Sequence, residues 1–272
     1  MSLYRMVILS VAAVLLYGGI VSAGLQEGIY AYRGGNYLRA MEELRPIADR
    51  GDREAQYYVA QMFEQGQGVR KDFKTAAIWY LRSAEKGYAP AQYAFGTMYF
   101  EGRGIAQDQN AAVRWYLKSA EQGNVEAEYM LGMLSYRGRG VPQDFRNAAK
   151  WFRRAAELGN AAAQYHLGTM YERGQGVVAD DKAAATWYLM SADQGNAASQ
   201  YAVGIMQAEG RGIAKDSVVA RKWLDLAVRG GIREAVEQRR ELDQQMKPEE
   251  QELSRLMVKV WLLKHGESPQ QN

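Results

Sequence analysis

Tryptophans at 79, 115, 151, 187 and 223 stand 36 residues apart without a slip. A fixed period in the range of about 20 to 50 residues marks a stack of supersecondary repeats, each burying its apolar face only against its neighbours. Such a chain grows lengthwise instead of enclosing one round core. The beat carries more than tryptophan. Across 53–88, 89–124, 125–160, 161–196 and 197–232 it repeats Tyr57, Tyr93, Tyr129, Tyr165 and Tyr201, then paired glycines such as Gly66/Gly68 and Gly102/Gly104. Asp72, Asp108, Asp144, Asp180 and Asp216 follow, and each repeat closes on a glycine, from Gly87 to Gly231.

Within 53–88, Ala55, Val59, Met62 and Phe63 fall on one helical stripe, which predicts a first helix. Gly66 to Val69 should stop it, because glycine accepts the positive φ that ends a helix. Asp72 is placed to cap a second helix carrying Ala76, Ala77, Trp79, Tyr80 and Ala84. The expected fold is therefore all-α. Gly96, Gly132, Gly168 and Gly204 interrupt first helices at a cost of roughly 1 kcal/mol each, which close helix approach should offset. Each tryptophan is expected to wedge between consecutive repeats. There a ring burying about 150–250 Å² contributes on the order of 4–6 kcal/mol as an upper bound.

The set Ala91, Tyr93, Gly96, Tyr99, Gly102, Gly104, Asp108, Ala112, Trp115, Tyr116, Ala120 and Gly123 resembles the Sel-one-like repeat, a relative of the tetratricopeptide repeat. The resemblance covers 53–232 in five copies. It implies a right-handed α-solenoid of antiparallel helix pairs, used for protein–protein interaction. Ser135 and Gln207 depart from the pattern, where an aromatic residue is usual, and Gln207 suggests a loosened fifth repeat. Residues 24–52 match a truncated capping repeat, in which Glu43 replaces the tryptophan and Pro46 should kink or shorten the helix. Residues 233–265 predict capping helices. The first is polar (Arg239, Arg240, Glu241, Asp243), and after a break at Lys247 and Pro248 comes an amphipathic one. Leu253, Leu256, Met257, Val260 and Trp261 of that last helix are expected to cover the open end of the stack. The tail 266–272 is expected to be disordered.

Charge is nearly balanced, 34 basic residues against 31 acidic, with no basic run to track phosphates, so no nucleic-acid partner is expected. Cysteine is absent. Met1 to Ala23 has the layout of a secretory signal: Arg5, an apolar stretch from Met6 to Val21, and small residues ahead of Gly24. Cleavage after Ala23 would export the chain, to the periplasm in a diderm bacterium. The alternatives are secretion, or an uncleaved segment anchoring the chain to the inner membrane.

No catalytic residue, metal site or cofactor is expected. Ser83-Ala84-Glu85-Lys86 has a serine–lysine spacing known from penicillin-recognising enzymes, but it falls at a helix end without the companion motifs. The glycine loops carry aspartate where a phosphate would sit, and His166 and His265 lie far apart with no thiols to join them. If first helices line a concave wall, the partner-binding residues are Tyr57, Tyr93, Tyr129, Tyr165 and Tyr201 with Glu64, Phe100, Met133, Tyr136 and Glu172. The tyrosines suit packing equally well. Gln61, Thr97, Thr169, Ile205 and Ala208 complete the two rows that vary while the frame stays fixed. The function expected is that of an exported, non-enzymatic adaptor holding a protein or peptide in a groove. The alternative is an envelope enzyme or saccharide binder acting on peptidoglycan, a β-lactam or a polysaccharide.

Overall fold

Helix boundaries follow local chemistry, repeat by repeat. The computed structural model describes residues 23–266, with no strand among them. The helices are α1 (23–33), α2 (Tyr37–Asp49), α3 (Arg53–Gln65), α4 (Phe73–Glu85), α5 (Ala89–Glu101), α6 (Gln109–Ala120) and α7 (Val125–Arg137), then α8 (Phe145–Glu157), α9 (Ala161–Arg173), α10 (Asp181–Asp193), α11 (Ala197–Glu209), α12 (Ser217–Arg229), α13 (Glu234–Gln245) and α14 (Pro248–Lys264). The expected signal, except Ala23, falls on residues outside the described range, as does the tail beyond Gly266; the expected cleavage point, after Ala23, coincides with the start of α1.

Each second helix starts on its aspartate. Asp108 and Asp144 accept from the backbone N–H three residues on, and Asp72, Asp180 and Asp216 from two successive N–H groups, which satisfies donors the helix leaves orphaned. The backbone N–H of the same aspartates donates to the carbonyls of Phe63, Tyr99, Ser135, Tyr171 and Gln207 at 2.8–3.1 Å. Because that closure uses only backbone, Ser135 and Gln207 leave the loop intact. The fifth repeat is not loosened: α11 runs its full 13 residues, and Gln207 is buried with Nε2 donating to Ala214 O at 3.1 Å.

The described chain forms two compact bodies, divided between Ala127 and Glu128. Both are built on the same contact. Tyr80, Tyr116, Phe152, Tyr188 and Leu224, each one residue past a tryptophan, are at most 2% exposed. All but Tyr80 fill the space above a missing side chain. A Cβ on Gly96 would lie 3.0 Å from the Tyr116 ring, one on Gly132 2.6 Å from Phe152, one on Gly168 2.7 Å from Tyr188, and one on Gly204 2.8 Å from Leu224. Close helix approach is thus what the first-helix glycines serve.

The tryptophans take a lesser part than their spacing suggests. Trp79 and Trp223 are buried, but Trp115, Trp151 and Trp187 are only half-buried. Successive residues on a helix point about 100° apart, so the residue after each tryptophan faces its own first helix and the tryptophan turns to the flank. There a cation lies over the ring: Arg82 over Trp79 at 4.6 Å, Lys118 over Trp115 at 4.3 Å, Arg154 over Trp151 at 4.9 Å. Such contacts contribute about 0.5–1 kcal/mol at exposed sites.

Two devices join consecutive repeats. A buried glutamine on α3, α5, α9 and α11 donates to the end of the preceding second helix: Gln56 to Ala48 O, Gln92 to Ala84 O, Gln164 to Ala156 O and Gln200 to Ala192 O, at 3.0–3.2 Å. The second loop glycine then lies on the start of that helix. A Cβ on Gly104 would sit 2.2 Å from Phe73 O, one on Gly176 2.3 Å from Phe145 O, and one on Gly212 2.1 Å from Asp181 O. No side chain fits there.

At the amino end, Pro46 does not shorten α2, which keeps 13 residues. Pro46 and Glu42 are exposed, so the carbonyl released by the missing N–H faces water. At the other end α13 and α14 pack on α12. Ala235 and Leu242 meet Leu224 and Ala227, while Val258, Trp261 and Leu262 join Trp223 and Leu226. Buried Arg221 pairs with Asp243, anchoring the polar helix. Of the residues of α14 expected to cover the stack, Trp261 is buried and Met257 half-buried, and the other three are exposed. Leu253, Leu256 and Val260 point outward, because the helix carries two apolar stripes and the one bearing Trp261 and Leu262 faces in.

Gly104→Ala and Gly212→Ala combine a positive φ with a backbone collision, and should each lower unfolding free energy by at least about 2–3 kcal/mol. Gly123 and Gly231 also have positive φ but meet nothing within 4 Å, so alanine there should cost about 1 kcal/mol. Urea denaturation of the four variants checks the ranking; equal losses would contradict the close approach.

Candidate functional site

The first-helix tyrosines lean on the buried aromatics. Ring centroids are 5.8 Å apart for Tyr57 and Tyr80, 5.6 Å for Tyr93 and Tyr116, 6.0 Å for Tyr129 and Phe152, and 5.8 Å for Tyr165 and Tyr188. The first-helix tyrosines Tyr57, Tyr93, Tyr129, Tyr165 and Tyr201 are half-buried. The ladder therefore packs on one edge and reaches the surface with the other. Burial, then neighbouring phenols, pushes Tyr57 above the ordinary tyrosine range, and burial raises Tyr129. Both remain protonated donors at neutral pH.

The two varied rows divide in role. Glu64 accepts from Tyr80 Oη at 2.6 Å and from Arg103 Nη1 at 3.3 Å. Glu172 accepts from Tyr188 Oη at 2.8 Å and from Arg211 Nη2 at 2.9 Å. Tyr136 donates to Gln175 Oε1 at 2.9 Å. Each reaches the residue between the paired glycines of the next repeat, 39 positions on, so these three side chains tie repeats together. A signal was available in the equal spacing of Glu64/Arg103 and Glu172/Arg211. Phe100, Met133, Thr97, Thr169 and Ile205 are half-buried. Thr97 and Thr169 also accept from Tyr116 and Tyr188 at 3.1 and 3.0 Å.

In the carboxy-terminal body this face opens into a cleft of about 480 Å³. Tyr165, Thr169, Glu172 and Arg173 of α9 form one wall, Tyr201, Ala202 and Ile205 of α11 another, with Ile232 and Glu234 at one end. Glu172 and Arg211 form an ion pair in its lining, and Arg211 also meets Asp181 and Glu209 at 3.1 and 3.2 Å. Arg173 and Glu234 form no ion pair among the described residues. The cleft thus combines tyrosine edges and two isoleucines with one cation and one anion outside that ion pair, a composition suited to orienting an amphipathic segment. Tyr57, Tyr93, Glu64 and Phe100 belong to the other body.

Beside the cleft, His166 lies in an aromatic cluster that the sequence reading missed. Its ring stacks on Phe152 at 5.1 Å and 14°, with Tyr165 at 5.4 Å, Tyr136 at 6.4 Å, and Tyr129 Oη 3.5 Å from Nε2. Burial, then the charge of Arg137, lowers its pKa to about 4. Nearby Glu128 occupies the register of the seam glutamines, is 1% exposed and pairs with Arg154 at 2.6 Å. Burial raises its carboxyl above the usual range, against the pull of Arg154.

The chemistry considered from sequence has little footing. Ser83 is fully buried with Oγ donating to Arg53 O at 2.6 Å, and Lys86 Nζ meets Gly51 O. Among the described residues no group of three or more histidine, cysteine, aspartate or glutamate side chains could hold a metal ion. Among them, too, no helix is long and apolar enough to cross a membrane.

Comparison with known proteins agrees with this architecture. The Sel1 repeat family model matches residues 53–88, 89–124, 125–160, 161–196 and 197–232. A Sel1 repeat protein from Oxalobacter formigenes is 33% identical with a TM-score of 0.72, over 78% of this chain and 84% of that one. The antigen c5321, a protective antigen present in uropathogenic Escherichia coli strains and displaying an SLR fold, is 30% identical with a TM-score of 0.80. It aligns over 90% of this chain, which spans 54% of its length. The expected class, an α-solenoid of helix pairs, is that of these structures. Curated proteins give no match.

A histidine held near pKa 4 stays neutral in the fold while the unfolded chain, near 6.5, takes up a proton. Stability tied to His166 is fully present above about pH 6.5 and falls between about 6.5 and 4, by roughly 2–3 kcal/mol in all. His166→Phe should keep the stack and lose that dependence. Thermal midpoints of both proteins across this window check it; parallel curves would contradict a buried neutral imidazole.

Proposed function

The chain belongs to the Sel1 repeat family, and from that premise we propose that it is an exported, non-enzymatic adaptor holding a protein or peptide partner on its first-helix face. Sel1 repeat proteins are generally non-catalytic scaffolds for protein interaction. The observation that carries the proposal for this chain is the cleft of the carboxy-terminal body, where Tyr165 and Tyr201 present half-buried edges around Thr169 and Ile205. Tyrosine supplies large contact area with few rotatable bonds and a hydroxyl that can bond backbone, which is why it anchors interfaces. Thr169 and Ile205 occupy a row that reads Gln61, Thr97, Met133, Thr169, Ile205 along the repeats, varied enough to read an irregular partner. Export rests on the basic, apolar and small-residue order of Met1 to Ala23.

Peptides selected from a random displayed library against the protein should include binders that compete with one another. Their affinity should fall at least about tenfold, or about 1.4 kcal/mol, on Ile205→Glu, with helical content and thermal midpoint unchanged. Peptides that bind the variant equally well, or a selection yielding none, would reject the cleft as the site. For export, the protein recovered from the producing cell should begin at Gly24; an intact Met1 in a soluble cytoplasmic fraction contradicts it.

A further inference from the structure

The outward face of α14 does not suit a terminal cap. Ser254, Val258, Trp261 and Leu262 are buried against the body, while Leu253, Leu256, Val260 and Leu263 are 52%, 48%, 65% and 66% exposed. A capping helix normally turns a polar face to water. Here the exposed residues follow a three-four-three spacing, so they form one straight stripe about 15 Å long. Such a stripe is the seam of a two-helix coiled contact.

We propose that this stripe is the contact surface of a symmetric dimer, in which α14 packs antiparallel against α14 of a second copy of the chain. The spacing is self-complementary about a two-fold axis through the helix centre. Leu253 falls opposite Leu263 of the second copy, and Leu256 opposite Val260, so all four layers are apolar. Charge order selects the direction. The amino-terminal half of the helix carries Glu249, Glu250 and Glu252, and the carboxy-terminal half Lys259 and Lys264. Glu252 also pairs with Arg255 at 3.1 Å. Antiparallel packing sets the acidic half of one copy beside the basic half of the other. Parallel packing would bring Lys259 beside Lys264 across the seam, a like-charge contact that disfavours it. Antiparallel helix dipoles favour the same choice. A two-fold contact is closed, so association ends at two copies. Four apolar layers make a short contact, at the small end of the interfaces that proteins form, so the dimer is expected to be weak and reversible.

Sedimentation velocity of the chain over roughly two decades of concentration, up to about 200 µM, should show a monomer–dimer equilibrium. Val260→Glu and Leu256→Glu should each weaken it at least about thirtyfold, with helical content and thermal midpoint unchanged because both side chains are exposed. The absence of cysteine permits a second readout independent of those variants. Leu256→Cys mixed with Val260→Cys should give a mixed disulfide dimer on oxidation. Leu256→Cys alone should give little, since its own counterpart lies beyond the reach of a disulfide, about 7 Å between Cα atoms. A chain that stays monomeric throughout, leaving the stripe to a different helix or a membrane surface, overturns the proposal. So does a dimer indifferent to Val260→Glu, or one that crosslinks through residue 256 alone.

Discussion

Every other feature of this molecule depends on how closely the two helices of a repeat can approach. Glycine at 96, 132, 168 and 204 strips the first helix to its backbone, and the ring or branched side chain of Tyr116, Phe152, Tyr188 or Leu224 occupies the space. Interiors are packed as densely as organic crystals, so the bare backbone and the large side chain are a single unit of design. The helical penalty of glycine, about 1 kcal/mol, is small beside the apolar area that the buried ring removes from water. The first repeat has Ala60 at the equivalent position, buried in the same core cluster as Tyr80, so one methyl is accommodated there.

Once a repeat is closed in this way, its chemistry is divided between seam and surface. The seam is polar and buried, made of a glutamine amide on a helix-end carbonyl and a loop glycine laid on backbone. These groups are fixed because a buried amide without its partner costs about 1–3 kcal/mol. The first-helix face then has two classes of residue. Glu64, Tyr136 and Glu172 reach forward into the next loop and are occupied by the stack. In the proposed function the tyrosine edges and Ile205 are the surface offered to a partner, and Thr169 lies between them with its hydroxyl bonded to Tyr188 and to Tyr165 O. That division makes a cleft possible on a surface whose every third or fourth position is already committed to packing.

Much of this was legible in the sequence where the cause was local. The aspartate caps and the glycines that end helices act within a few residues of where they stand, and the structure puts them to those uses. Direction was harder to read than recurrence. A period of 36 identifies the tryptophans as equivalent, but one step along a helix changes the facing by about 100°, and the neighbours at 80, 116, 152 and 188 take the centre. The same blindness applied to α14, where two apolar stripes share one helix and the spacing of Leu253, Leu256 and Val260 does not say which faces in. Recurrent glutamines at 56, 92, 164 and 200 were passed over because polar residues normally lie outside. The His166 cluster draws on α7, α8 and α9, and only the folded chain brings those rings together.

The central claim is that the residue after each tryptophan, and not the tryptophan, closes the repeat. Phe152 and Trp151 give the cleanest comparison, since Phe152 has no hydroxyl to confuse packing with hydrogen bonding. Equilibrium unfolding of Phe152→Ala should show a loss of about 3–5 kcal/mol, the range for a fully buried aromatic, and Trp151→Ala a clearly smaller one. A larger loss at Trp151 would return the tryptophans to the centre of the structure and contradict the account.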